Sequence, residues 1–261
     1  MNKRFWLIVL AVALVGSVAD CANHKSPPLE SFQPVPVNSS PDFKKFDTFV
    51  VVLDTASSME GPYWKRLEAD RTRKIASRIN RTIPDLGYRS ALVAFTSGSC
   101  TSCEDAVLLY GPEAYNRDGF EAGLAAYSMD EAGELNRISP TGGNMPAADA
   151  ILQGNPGRVA LIVITDSENI LHGRAFNTVQ KLTAFFGGRL CIYPIQLDRN
   201  VAGRRVVDEL VNVGGCGFSV NADEIATPNA MAAYVYQVFL APPGAHVAVV
   251  VDSDGDGVSD S

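Results

Sequence analysis

The sequence predicts an α/β fold, a mainly parallel sheet with helices on both faces. Three observations carry the prediction. From Phe46 to about Leu240, apolar strand-like runs alternate with amphipathic helical segments, the pattern of strands joined by crossover helices. The apolar runs do not alternate with polar residues, which suits strands buried on both faces. The first run, Phe49 to Leu53, ends abruptly in Asp54-Thr55-Ala56-Ser57-Ser58-Met59. An acid and a group of hydroxyls thus fall beyond the carboxyl end of a strand, where open α/β sheets bind their ligands.

The elements follow in order. Strands are expected at Phe46–Leu53, Ser90–Thr96, Val107–Tyr110, Val159–Thr165 and Leu190–Leu197, with a short one at Phe218–Val220. Leu67, Ile75, Ile79 and Ile83 recur at multiples of four, so residues 64–83 form one amphipathic helix, stopped by Pro84 and Gly87. Asp118 to Tyr127 is a second helix, and Pro146 to Leu152 opens a third. Arg174 to Phe186 ends at Gly187-Gly188, and Arg204 to Val213 ends at Gly214-Gly215. Asn229 to Leu240 is the last helix. The pattern does not set the strand order. About 195 residues are enough for one sizeable core.

The ends of the chain read differently. Residues 1–19 have the form of an export signal: basic Lys3-Arg4, the apolar stretch Phe5 to Val15, and the small-x-small site Ser17-Val18-Ala19. The apolar stretch is short for a membrane span. Val18-Ala19-Asp20-Cys21 is similar to a bacterial lipobox, with Asp20 where that motif has a small residue. Two outcomes stay open, lipidation of Cys21 or simple cleavage after Ala19. Residues 20–45, rich in Pro, Ser and Asn, are expected to form a tether. The net charge of −7 and the lack of any basic cluster beyond Arg71–Lys74 argue against nucleic-acid binding.

Phe49–Met59 resembles the metal-site motif of von Willebrand factor A (vWA) domains, Asp-x-Ser-x-Ser followed by Met. The resemblance covers roughly residues 46–240. It extends to Thr141-Gly142-Gly143-Asn144-Met145-Pro146, to Val163-Ile164-Thr165-Asp166-Ser167, and to Gly214-Gly215-Cys216-Gly217-Phe218. It implies a Rossmann-type vWA-like domain whose site residues are Asp54, Ser58 and Asp166. Two carboxylates and a hydroxyl are hard oxygen donors suited to Mg²⁺ or Mn²⁺. Ala56, and Met145 or, in the other alignment, Asn144, stand where the family has hydroxyls, so the implied site is degenerate and its affinity weak. Without an ion, the same aspartates serve as caps at strand ends and helix N-termini.

Residues 241–261 open on a Pro-Pro-Gly break and end in an Asp-rich segment. Asp252, Asp254, Asp256 and Asp260 occupy positions 1, 3, 5 and 9 of a calcium loop, with Gly257 at the sharp turn and the Val258 carbonyl at position 7. The closing bidentate acid is missing from the sequence, so Ca²⁺ affinity is expected to be weak. This segment is similar to the calcium linkers that join vWA domains to OmpA-like domains in bacterial envelope proteins.

Removing Cys21 leaves Cys100, Cys103, Cys191 and Cys216, and four cysteines allow three disulfide connectivities. One of these joins Cys191, on a core strand, to Cys216, in the Gly-rich turn, and closes a loop of about 25 residues. Cys100-Thr101-Ser102-Cys103 is followed by Glu104-Asp105, and acids raise a thiol pKa, which favours a staple over a redox site. The three histidines, His24, His172 and His246, match no catalytic motif. The expected role is therefore binding or scaffolding at the cell envelope, in the periplasm or outer membrane, without catalysis. Its partner would be a protein or cell-wall ligand, with a lipid anchor if Cys21 is modified. Two alternatives remain: a redox-active protein using Cys100 and Cys103, or a piece of a peptidoglycan-anchoring OmpA-like protein.

Overall fold

The structure, a computed structural model, describes residues 32–37, 44–54, 62–95, 106–127, 157–165, 180 and 183–240. Contacts divide the chain into Met1–Phe32 and Gln33–Ser261, and the architecture below belongs to the second unit.

Six strands form one sheet in the order β3-β2-β1-β4-β5-β6. They are β1 (Thr48–Asp54), β2 (Arg89–Phe95), β3 (Ala106–Ala114), β4 (Val159–Thr165), β5 (Leu190–Gln196) and β6 (Val220–Asn221). All neighbours pair in parallel except β2 and β3, which are antiparallel. The expected mainly parallel sheet is thus observed. β3 runs four residues beyond the predicted Tyr110, because Gly111 and Pro112 interrupt the apolar pattern without ending the pairing with β2.

Four long helices are described: α1 (Pro62–Thr82), α2 (Arg117–Ala126), α3 (Val201–Gly214) and α4 (Pro228–Phe239). Local chemistry sets their ends. Asn116, Asn200 and Thr227 cap α2, α3 and α4 by accepting backbone N–H bonds from Gly119, Ala202 and Ala230. Pro228 sits at the start of α4, where its missing N–H costs nothing. Gly215 ends α3 in the left-handed region at φ 73°, and its N–H bonds back to Val211 O at 3.0 Å. The expected helix at Pro146–Leu152 lies outside the described residues, as does most of Arg174–Phe186.

Successive strand residues point to opposite faces, and both faces are buried. On one face Phe49 packs edge-on against Tyr115 of the β3–α2 turn and Phe239 of α4, at 5.1 and 5.4 Å between ring centroids, and Phe120 of α2 lies 6.1 Å away. On the other, Val50, Val159, Leu161 and Ile192 form a core with Val206 and Leu210 of α3. The helices therefore cover the sheet on both sides, as predicted.

The parallel strands give the sheet two different edges. Asp54, Phe95, Thr165, Gln196 and Asn221 end strands at the carboxyl edge. Thr48, Arg89, Val159 and Leu190 share a register at the amino edge.

Candidate functional site at the carboxyl edge

β1 is followed in sequence by β2 on one side and flanked by β4 on the other, so the chain order reverses between β1 and β4. Such a switch point opens a crevice beyond the carboxyl ends of the strands. Leu53 pairs with Ile164, which places Asp54 and Thr165 side by side at this point. Thr165 is fully buried, and its Oγ1 donates to Asp54 Oδ2 at 2.6 Å. Its backbone carbonyl accepts from Leu197 N at 2.8 Å, tying the end of β4 to that of β5. A short bond to a carboxylate holds one side chain in one orientation.

Tyr127 joins this edge from the opposite direction. α2 packs along the sheet after antiparallel β3, so the residue that ends α2 returns to the carboxyl side. Tyr127 is 1 % exposed, and its hydroxyl makes no hydrogen bond among the described residues. Burial pushes its phenol well above the ordinary range, and the nearby carboxylates of Asp54 and Glu68 push it further. Two carboxylates and two hydroxyls, from β1, α1, β4 and the end of α2, thus lie at one end of the sheet.

A second polar group lies beyond β5 and β6. Gln196 is buried and donates through Nε2 to Asp198 Oδ1 and to Asn200 O, both at 2.8 Å. Asn221 Nδ2 donates to Asp198 O, and Asn221 N donates to Glu224 Oε2 at 2.9 Å. Asp223 then accepts from Arg199 at 2.9 Å and from Arg71 of α1 at 3.1 Å. These bonds hold the β5–α3 and β6–α4 connections against α1. The sequence reading singled out none of these residues. The signal available was the polar Gln196 ending an apolar strand, Leu190-Cys191-Ile192-Tyr193-Pro194-Ile195.

Of the expected metal residues, Asp54 is described and ends β1. Ser58, Asp166, Ala56 and Met145 lie outside the described residues. So do Cys21, Cys100, Cys103, the three histidines and the whole calcium-type segment Asp252, Asp254, Asp256, Val258 and Asp260. Among the described residues, no three His, Cys, Asp or Glu side chains gather as a metal site. The oxygens of Asp54 and Thr165 are of the chemical type that a hard divalent cation takes.

Cys191 and Cys216 are joined by a disulfide, with Cα atoms 4.7 Å apart. The bond fastens the turn after α3 onto β5. Ile192 N also donates to Cys216 O at 2.9 Å. Gly217, at φ 117°, lies so close that a Cβ there would sit 1.8 Å from Ile192 O. Only glycine satisfies both the backbone angle and this approach.

No protein-family model matches the chain, and no curated protein sequence matches it. Solved structures do. Proximal thread matrix protein 1 from the mussel byssus is 13 % identical, with 73 % of this chain and 46 % of that one covered, at a TM-score of 0.45. A von Willebrand factor type A protein from Catenulispora acidiphila is 14 % identical, with coverages of 73 % and 41 % and a TM-score of 0.45. The vWF domain of the type V pili tip protein Mfa5 from Porphyromonas gingivalis is 10 % identical, with coverages of 73 % and 94 % and a TM-score of 0.46. The chain spans less than half the length of the first two. The fold class stands on the observed topology, independently of these distant likenesses.

Proposed function

We propose that this chain is an exported binding or scaffolding protein of the cell envelope, whose ligand face is the carboxyl edge of its vWA-like sheet. The observation that supports this most is the Asp54–Thr165 pair, a carboxylate held at 2.6 Å at the switch point of the sheet. On this reading Asp54, Ser58 and Asp166 hold Mg²⁺ or Mn²⁺ weakly, because Ala56 and Met145 supply no oxygen. The cation would offer an open coordination position to an acidic group of a protein or cell-wall partner. No catalytic step is assigned. The Cys191–Cys216 disulfide supports an oxidising compartment, which agrees with an export signal at residues 1–19. The acidic segment from Asp252 to Asp260 would take Ca²⁺ with weak, extracellular-class affinity, roughly 10⁻⁴ to 10⁻³ M.

Calorimetric titration of the protein with Mg²⁺ and Mn²⁺ tests the metal face. Weak binding that strengthens in the Ala56→Ser, Met145→Thr double variant is expected. Absence of heat at millimolar metal in both proteins would remove the site. Mass spectrometry of the mature N-terminus tests export, with a chain beginning at Asp20 or at lipidated Cys21 as the expected result. An intact Met1 terminus on the protein taken from its cells would overturn it.

A further inference from the structure

The edge opposite the candidate site has its own chemistry. The register that aligns Thr48, Arg89, Val159 and Leu190 also aligns the residues just before them. Lys44 and Lys45 precede β1, Arg158 precedes β4, Arg189 precedes β5, and Arg89 opens β2. Among the described residues, Asp47, Asp85 and Glu113 are carboxylates near this edge, while Asp118 and Glu121 at the start of α2 gather with Arg81 and Arg117. The described part of the edge therefore carries more cations than acids, in a chain of net charge −7.

These cations are held in place. Lys45 Nζ lies 5.6 Å and Arg158 Cζ 5.4 Å from the centre of the Phe46 ring. Arg189 lies over Phe186 at 5.3 Å, and Lys44 over Tyr88 at 5.0 Å. Asp47 Oδ2 accepts from Arg158 N at 2.9 Å and so fixes the approach to β4. Burial and the neighbouring Arg158 both push the Lys45 ammonium pKa down. The fold thus crowds like charges here; Lys45 Nζ donates to Gln237 O at 2.7 Å, and Asp47, 4.0 Å from Lys44 Nζ, offsets one of them.

Two further facts say what this edge faces. Phe185, two residues before Gly187 at the entry to β5, is 57 % exposed, an aromatic ring beside the cations. The chain also enters and leaves the sheet unit here: Lys45 N donates to Phe239 O at 2.9 Å, so the segment arriving from the N-terminal side lies beside the end of α4.

We propose that the amino edge docks the domain on an anionic lipid surface, with Lys44, Lys45, Arg89, Arg158 and Arg189 on phosphate headgroups and Phe185 in the interface. Cations drawn to such a surface and an apolar ring at the acyl boundary are the pairing that interfacial segments use. The inference rests on the envelope reading, since it needs the protein to meet a membrane. It leaves the carboxyl edge pointing away from the bilayer, open to a partner.

The test is co-sedimentation of the full chain with phosphatidylglycerol vesicles and with phosphatidylcholine vesicles. The apolar N-terminal stretch contributes to both, so the difference reads headgroup charge. Binding to phosphatidylglycerol should be at least tenfold tighter, on the order of fivefold per engaged cation. Arg158→Gln with Arg189→Gln should remove most of that difference. Phe185→Ser, at an exposed position that folding tolerates, should lower vesicle binding severalfold. Arg66→Gln with Lys74→Gln, on the exposed face of α1, should change it less than twofold. Inorganic phosphate at constant ionic strength should not displace the protein. Equal binding to both vesicles, full displacement by phosphate, or a larger loss in the α1 pair would each overturn the proposal. A processed N-terminus together with no headgroup preference sinks the docking alone and leaves export standing. An unprocessed N-terminus sinks export whatever the vesicles show.

Discussion

Thr165 and Asp54 are 111 residues apart in sequence and 2.6 Å apart across the switch point, the hydroxyl of one donating to the carboxylate of the other. Hydrogen bonds to charged groups contribute about 1.5–3 kcal/mol. Thr165→Val keeps the shape and removes the donor. It should destabilise the protein by about that amount, read as a lower urea midpoint with an unchanged slope. Thr165→Ser should recover much of the loss. If the Val variant is as stable as the parent, the bond does not hold Asp54.

Tyr127 gives a contrasting expectation. Its buried hydroxyl has no bonding partner among the described residues, where it bears the desolvation of a polar group without return. Tyr127→Phe should be neutral or slightly stabilising, within about 1 kcal/mol. A thermal melt decides. A marked loss of stability would mean that the hydroxyl is engaged at the Asp54 edge.

The disulfide closes a loop with a sequence separation of 25. On the chain-entropy argument, Cys191→Ser with Cys216→Ser should cost about 3 kcal/mol. Dithiothreitol should reproduce the loss in the parent, and in the variant should remove only what a Cys100–Cys103 staple adds. Gly217→Ala should be destabilising even with the disulfide intact, because the added carbon meets Ile192 O at 1.8 Å. A wild-type melting curve for Gly217→Ala would contradict the turn geometry.

Alkaline pH should unfold the domain. Burial raises the phenols of Tyr88, Tyr127, Tyr193 and Tyr234 well above the ordinary value, and that of Tyr115 to about 12. Above about pH 10, the unfolded tyrosine value, the unfolded chain gives up protons that the native state keeps. The native state then binds more protons, so stability falls as pH rises. Tyr110 shifts the same way, while Lys45 and Arg78, with native pKa lowered by burial, work in the opposite direction, two groups against six. Urea midpoints should hold to about pH 9 and drop by pH 11, and ultraviolet titration of the folded protein should show tyrosines ionising late. Early ionisation of all the tyrosines would refute the buried cluster.

The sequence by itself determined the elements and the fold class, and the reason is local. Burial on both faces requires apolar runs without alternation, as in Phe49 to Leu53, and a helix stop requires a residue such as Gly215, whereas the caps Asn116, Asn200 and Thr227 came from the structure. The place of Asp54 at the end of β1 was legible because an acid interrupts an apolar run where a strand must end. The tertiary structure alone decided the strand order, the antiparallel pairing of β3, and the choice of Cys191–Cys216 among the connectivities that the cysteines allow. It also decided that Thr165 meets Asp54, that Tyr127 returns to their edge, and that Lys45, Arg158 and Arg189 share the other. No local period encodes these meetings. They arise because parallel strands joined by crossovers bring residues over 100 positions apart into one register, and only the assembled sheet has a carboxyl and an amino edge.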